Sequence, residues 1–189
     1  MNILWDFDGT LFNTYPAYTN IFYEVLEQQR PTEEILQQLK ISFTHAVKYF
    51  NLTEFQIEEI FRREESLQPE QTPPFPDLEN ILRTAEKNVI MTHKPRREVI
   101  QILQHYHWES YFVDIVAGDD GFPRKPDPAS YLHLHHRNRI DFIIGDREID
   151  ILPGKALGIK TCLFQNETPG ADFYLTNYRD FFNVIPLEK

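Results

Sequence analysis

Short apolar segments alternate with amphipathic segments along most of the chain. The apolar segments lie at residues 3–7, 88–92, 112–117, 141–145 and 160–164. Segments that are apolar at nearly every position are typical of strands buried between two layers of helices. The alternation therefore predicts an α/β fold in which helices connect the strands of a parallel sheet.

The interval between the first two apolar segments is too long for a single crossover helix. Its apolar positions follow a helical period. The predicted helices span residues 15–29, 32–50 (one or two helices) and 53–66. A proline-rich stretch at residues 69–76 ends this region, because proline cannot continue a helix. We therefore expect a helical domain at residues 14–71, inserted into a core formed by residues 1–13 and 72–189.

Charge and composition narrow the possible partners. The chain has 19 Lys and Arg against 29 Asp and Glu, a net charge of −10. Nucleic acids and anionic lipids favour an excess of basic residues, so we expect neither as a partner. No apolar run approaches the ~20 residues that span a bilayer. The single cysteine, Cys162, fits a reducing compartment, and a cleaved leader would remove the polar motif at Asp6, so we expect a cytoplasmic protein.

Polar clusters follow the first four apolar segments, on the carboxyl side of each. They are Asp6-Phe7-Asp8-Gly9-Thr10, Thr92-His93-Lys94-Pro95, Lys125-Pro126-Asp127-Pro128 and Gly145-Asp146-Arg147-Glu148-Ile149-Asp150. Ligands of open α/β sheets bind just outside the carboxyl ends of the strands. We therefore expect the four clusters to meet at one edge of the sheet.

Each of the first three clusters, taken alone, also has an ordinary structural interpretation. Asp6 and Asp8 would repel each other when buried unless a cation lies between them, but they could instead cap a turn. Thr92 could bind a phosphate oxygen or cap the helix that follows it. Lys125 could neutralise a buried anion or lie in an exposed loop.

The acids of the fourth cluster, Asp146 and Asp150, could hold Mg²⁺ or cap a helix. Taken together, the clusters supply two acids, a hydroxyl, a lysine and two further acids, which independent caps would not be expected to do. This set favours phosphoryl transfer, in which a carboxylate nucleophile needs a cation to offset its repulsion from an anionic phosphate.

This pattern resembles the haloacid dehalogenase-like hydrolase superfamily. The likeness rests on Asp6-x-Asp8-Gly9-Thr10, Thr92, Lys125 with its Pro-Asp-Pro sequence, and Gly145-Asp146 with Asp150, and it covers residues 1–158. It is closest to phosphatases of the phosphoglycolate phosphatase type, which carry a helical cap between the first two motifs. The resemblance implies a Rossmann-like, doubly wound parallel sheet with an inserted cap, and a Mg²⁺-dependent phosphatase acting on a small phosphorylated metabolite.

The resemblance also implies a role for each matched residue. Asp6 would be the nucleophile that forms an aspartyl-phosphate, and Asp8 the general acid and then the general base. Lys125 would neutralise Asp6 and the phosphate. The phosphate-binding residues would be Gly9, Thr92, His93 and Lys125. The Mg²⁺ ligands would be Asp6, Asp8 through its backbone carbonyl, and Asp146. Asp150 would complete the metal site through a water molecule or orient Lys125.

Two alternatives stay open at this point. Phosphomutases share the same core but return the phosphoryl group to a sugar instead of transferring it to water. A catalytically idle core could serve as a binding module, although the chain fills every position that the chemistry needs. Asp8 favours phosphate esters over halides and phosphonates, because an ester leaving group needs a proton donor.

Overall fold

A computed structural model describes residues 1–185 of the chain, and these residues divide into two compact units. One unit contains Met1–Phe12 and the chain from Pro74 onwards, and the other contains Asn13–Pro73. The helices, in chain order, are α1 (Tyr15–Val25), α2 (Thr32–Ile41), α3 (Phe43–Tyr49), α4 (Glu54–Glu65), α5 (Leu78–Thr84), α6 (Arg96–His105), α7 (Ala129–Asn138), α8 (Glu148–Ala156) and α9 (Phe181–Val184). None of those helices combines the length and the apolar character that crossing a bilayer requires.

The first unit is built on a parallel sheet. Its strands are β1 (Asn2–Trp5), β2 (Lys87–Met91), β3 (Phe112–Val116), β4 (Phe142–Gly145), β5 (Lys160–Phe164) and β6 (Phe173–Leu175), in the spatial order β3-β2-β1-β4-β5-β6. Leu4 of β1 lies opposite Val89 of β2 and Ile143 of β4. The chain thus changes direction across the sheet at β1, which is the switch point where doubly wound folds bind ligands. The predicted fold class is confirmed.

Both faces of the sheet are buried at its centre. Ile3 and Trp5 pack into one hydrophobic cluster, and Leu4 between them packs into another on the opposite face. This arrangement explains why the strand sequences are apolar at consecutive positions. The prediction of burial on both faces is wrong for β3, which is an edge strand: Val113 is 58% exposed.

The second unit consists of α1–α4 around its own core, which includes Phe22 and Ile35. Helix α1 ends earlier than the predicted residue 29, because Glu27 and Gln28 have positive φ angles of 53° and 61°. The predicted segment 32–50 forms two helices, which are separated at Ser42. The backbone of Ser42 is extended, and its side chain accepts a hydrogen bond from the His45 N–H.

Candidate active site

The first polar cluster leaves the sheet at the carboxyl end of its switch-point strand. Asp6 directly follows β1, and its backbone N–H still donates to the Ile144 carbonyl at 2.9 Å, which fixes the residue beside β4. Gly9 then turns the chain with a φ of 77°, in the region that glycine tolerates best. The Gly9 N–H donates to the Phe12 carbonyl at 2.8 Å, so it closes the turn. The Asp6 side chain is only 2% exposed.

The fourth cluster lies beside the first, where β4 passes into α8. Asp146 follows β4, and Asp150 lies in the first turn of α8, where it accepts a hydrogen bond from the Arg147 N–H at 3.0 Å. A Cβ atom on Gly145 would lie 2.2 Å from the Asp150 Cβ. Only glycine at position 145 therefore lets Asp150 approach this closely. Asp150 therefore caps its helix, and whether it also holds Mg²⁺ stays a prediction.

These two clusters place three buried carboxylates together. Asp6, Asp146 and Asp150 each offer an oxygen within 4.8 Å of the others. Clustered carboxylate oxygens are the donors that hard divalent cations such as Mg²⁺ prefer. The chemistry of this donor set therefore fits the predicted metal ion. The Asp8 side chain is not in this group, and a metal contact through its backbone carbonyl stays a prediction.

Lys125 supplies a buried positive charge to the same site. Its Nζ lies 2.5 Å from Asp6 Oδ1 and 2.8 Å from Asp150 Oδ1, and its side chain is fully buried. The alternative of an exposed loop lysine is therefore wrong. The Lys125 backbone N–H donates to His93 Nε2 at 2.9 Å, which ties the lysine loop to the end of β2.

The protonation of the site follows from burial and from the neighbouring charges. Burial, reinforced by the charge of Asp150, raises the pKa of Asp6 to about 7 in spite of Lys125. Burial alone would also raise the pKa of Asp150, but the charges of Arg147 and Lys125 and their hydrogen bonds lower it to about 2. Burial would lower the pKa of Lys125, but Asp150 and Asp6 raise it above its usual value. Lys125 thus stays protonated. Asp6 is the carboxyl group whose ionised form the cluster destabilises in the absence of a metal ion.

Arg147 adds a second cation that sequence reasoning did not assign. Its Nε lies 3.4 Å from Asp150 Oδ2 and 3.8 Å from Asp146 Oδ1, and its Nη2 lies 3.9 Å from Asp6 Oδ1. Three carboxylates therefore face two positive side chains, Lys125 and Arg147. When all three acids are ionised the cluster keeps an excess negative charge, which a metal ion would offset.

Thr92 and His93 follow β2 at the same edge of the sheet. Thr92 is buried, and its Oγ1 accepts a hydrogen bond from the Lys94 N–H at 3.1 Å. It does not cap α6, which begins after Pro95. Burial, together with the charges of Lys125 and Arg124, lowers the pKa of His93 to about 3, so its ring is a neutral hydrogen-bond acceptor for the lysine loop. The phosphate contacts of Gly9, Thr92 and His93 stay predictions.

Asp8 has a different neighbour, which sequence reasoning also missed. Lys94 Nζ lies 3.6 Å from Asp8 Oδ1 and 3.3 Å from Glu98 Oε2. The Lys94 side chain is 7% exposed. The position of Lys94, two residues after Thr92, was the available signal, but a lysine just before a helix is usually solvated.

The doubly wound sheet thus brings acids, a buried lysine and a tight glycine turn together at its carboxyl edge. The model of the haloacid dehalogenase-like hydrolase family matches residues 3–164. The chain therefore belongs to this family, which confirms the resemblance seen in the sequence.

Individual relatives agree with this assignment. The chain is 33% identical over 98 residues to a phosphoglycolate phosphatase from Psychrobacter arcticus, in a match that covers 48% of this chain and 43% of that protein. It is 25% identical over 187 residues to a pyrophosphatase from Halalkalibacterium halodurans, covering 90% and 86% of the two chains. The chain spans less than two thirds of the length of the first curated relatives it matches. A crystal structure of a hydrolase from Streptococcus pneumoniae superposes with a TM-score of 0.64 at 29% identity, covering 87% of this chain and 92% of that one.

Proposed function

We propose that this protein is a Mg²⁺-dependent phosphatase that hydrolyses a small phosphorylated metabolite through an aspartyl-phosphate on Asp6. The observation that carries the proposal is the pairing of Asp6 with buried Lys125 at 2.5 Å, beside two further buried acids. In this proposal the core (residues 1–13 and 72–189) holds the chemistry, and the helical segment 14–71 is a cap domain.

The metal would be held by Asp6, Asp146 and Asp150, with the backbone carbonyl of Asp8 as a further ligand. A bound Mg²⁺ offsets the negative charge of the carboxylates and of the substrate phosphate. Lys125 adds a fixed positive charge beside Asp6, where negative charge gathers during the transfer. This charge balance lets a carboxylate approach an anionic phosphorus centre.

The first half of the reaction breaks the ester. A carboxylate oxygen of Asp6 forms a bond to phosphorus, the bond between phosphorus and the ester oxygen breaks, and Asp8 donates a proton to the departing oxygen. The products are an alcohol, the aspartyl-phosphate and an ionised Asp8. Gly9, Thr92 and Lys125 would bind the phosphoryl oxygens during the transfer, with the His93 ring keeping the Lys125 backbone in place.

The second half of the reaction restores the enzyme. Ionised Asp8 takes a proton from water, and the hydroxide that forms attacks phosphorus while the bond to Asp6 breaks. Inorganic phosphate leaves, Asp6 is again a carboxylate, and Asp8 is again protonated. One residue thus serves as acid and then as base, which is why a partly exposed carboxyl group suits position 8.

The substrate class we propose is a small phosphate monoester. The names of the relatives suggest phosphoglycolate and pyrophosphate as the first compounds to try. With a net charge of −10 we propose no nucleic-acid or membrane partner, and the buried thiol of Cys162 is compatible with the reducing conditions of the cytoplasm.

A phosphate-release assay tests this function. Purified protein is incubated, with Mg²⁺ or with EDTA, with phosphoglycolate, pyrophosphate, several sugar phosphates and phenyl phosphate. We expect Mg²⁺-dependent release from the wild type and none from Asp6→Asn. Asp172→Asn is the matched control, because Asp172 bonds to Thr161 near the amino end of β5, away from the site.

Absence of phosphate release from folded wild-type protein would contradict the proposal. In that case, phosphoryl transfer between sugar phosphates in the same mixtures would identify a mutase. Absence of both reactions would favour the idle binding module.

A further inference from the structure

We propose that Lys94 is a positioning residue for Asp8, the proton donor and acceptor of the reaction proposed above, on which this inference rests. The Lys94 ammonium lies 3.6 Å from Asp8 Oδ1. At that distance it acts on the carboxylate through charge more than through a hydrogen bond. Lys94 would therefore hold the carboxyl group of Asp8 in place for proton transfer to and from the reacting oxygens.

The backbone around Lys94 is fixed on both sides. Its N–H donates to Thr92 Oγ1 at 3.1 Å, and its carbonyl accepts from the Gly118 N–H at 2.9 Å. The residue therefore starts from a rigid point at the end of β2. A side chain that leaves a fixed backbone and is 7% exposed has few alternative places for its charge.

Glu98 is a second carboxylate beside this ammonium. It lies in the first turn of α6, and its Oε2 is 3.3 Å from Lys94 Nζ. Lys94 is thus shared between a carboxylate on a helix and the carboxyl group of Asp8. Two acids around one buried ammonium make an arrangement that orients Asp8, whereas the Lys125 pair orients Asp6.

Each of the two catalytic aspartates proposed above thus has its own lysine. Lys125 serves the nucleophile, and Lys94 serves the proton donor. Losing Lys94 should therefore weaken proton transfer to the leaving group and leave the attack of Asp6 on phosphorus largely intact. This effect is specific, because a purely structural lysine would affect all substrates alike.

Two aryl phosphates of similar shape test this difference. Phenol is a poor leaving group that needs a proton donor, whereas p-nitrophenol leaves readily without one. For Lys94→Met we expect kcat/KM to fall about 10- to 100-fold on phenyl phosphate, a share of the about 10²- to 10⁴-fold effect of general acid catalysis. The fall on p-nitrophenyl phosphate should be about tenfold smaller. Lys160→Met, which removes an exposed lysine from a pair with Asp172, is the control and should change neither rate.

A double variant tests whether Lys94 acts through Asp8. On p-nitrophenyl phosphate, Asp8→Asn and the combined Asp8→Asn, Lys94→Met variant should agree within about threefold, because the target of the lysine is already gone. Lys94→Arg keeps the positive charge. It should therefore show a smaller loss of kcat/KM on phenyl phosphate, relative to p-nitrophenyl phosphate, than Lys94→Met shows. Thermal unfolding checks that each variant is folded, and Lys94→Arg carries the comparison if Lys94→Met is not.

Equal losses on both aryl phosphates, or additive effects in the double variant, would overturn the inference while leaving the phosphatase intact. A wild type that hydrolyses neither ester would instead overturn the proposed function, and the role of Lys94 with it.

Discussion

Replacing Asp6 by asparagine removes the proposed nucleophile and one buried negative charge while nearly preserving the shape of the side chain. We expect phosphatase activity to be lost, because an amide cannot form the aspartyl-phosphate. We also expect the metal-free variant to be more stable than the wild type near neutral pH. The two effects have opposite signs, and so loss of activity through misfolding can be recognised.

The size of the stability effect follows from the pKa of Asp6. Folding raises this pKa from 3.8 to about 7, chiefly through burial and the charge of Asp150. A group whose pKa is raised by folding stabilises the protein below its unfolded pKa, and this stabilisation is lost as pH rises to the folded pKa. Each pKa unit corresponds to about 1.4 kcal/mol, so the contribution of Asp6 to the stability of the metal-free protein should fall by up to about 4 kcal/mol between about pH 4 and pH 7. The lowered pKa of His93 changes stability in the opposite direction over this range, but His93 is present in both proteins and cancels in their difference.

Asp150 does not interfere in that range. Its pKa is lowered to about 2, so the stability that it contributes is present above its unfolded pKa of 3.8 and is lost only as pH falls toward 2. The asparagine side chain of the variant does not titrate. The difference in unfolding free energy between Asp6→Asn and the wild type should therefore grow with pH, to about 1–4 kcal/mol near pH 7.5.

Urea unfolding at about pH 5, 6 and 7.5 in EDTA measures this difference. Adding Mg²⁺ should stabilise the wild type more than the variant, because a ligand stabilises the folded state that binds it and the variant has lost one carboxylate. Asp172→Asn again serves as the control, because it changes the same residue type outside the cluster.

Lower stability of Asp6→Asn than of the wild type at pH 7.5 in EDTA would contradict this prediction, and so would a difference that does not change with pH. Either result would mean that burial does not destabilise the ionised form of Asp6. Residual turnover by the variant would separately remove Asp6 as the nucleophile.

Three further substitutions test other parts of the site. Lys125→Met should lower the unfolding free energy in urea by about 3 kcal/mol, because it removes one of the two cations that face the buried acids and leaves only Arg147. The exposed pair of Lys160 is worth less than about 1 kcal/mol, so equal losses for Lys125→Met and Lys160→Met would contradict the buried pairing. Asp8→Asn should slow phosphate release from phenyl phosphate about 10²- to 10⁴-fold, and a change within about threefold would remove it as acid and base. Gly145→Ala should cost about 1–3 kcal/mol in urea unfolding and abolish phosphate release, because the new methyl group displaces Asp150; wild-type activity would show that the position of Asp150 does not matter.

Much of the sheet could be predicted, because buried parallel strands form short segments that are apolar at nearly every position. β5 spans the predicted residues 160–164, and the predicted bounds of β2 differ from Lys87–Met91 by one residue at each end. β6 was missed because three residues, of which one is exposed, are too few to show a period. The early end of α1 was missed because Glu27 and Gln28 have positive φ angles, which their residue types do not announce.

The acids of the site could be found because they follow the predicted strands directly, and the carboxyl ends of parallel strands lie at the same edge of the sheet. The cations were harder to place. In the sequence, Lys94 and Arg147 look like exposed charged residues near the beginning of a helix. Their burial against acids depends on contacts between residues that are far apart in the chain. The distance from Lys94 to Asp8, for example, joins residues that follow different strands. Sequence patterns identify the chemical groups of such a site better than they identify the charges that surround them.

The central claim is that a phosphoryl group is transferred to Asp6. Rapid acid quenching of the enzyme during turnover of a ³²P-labelled substrate, followed by peptide mapping, tests it most directly. We expect label on the peptide that contains Asp6, formed and lost at rates that match turnover, and absent from Asp6→Asn. Steady release of phosphate with no labelled protein at any time, or label on another residue, would contradict it.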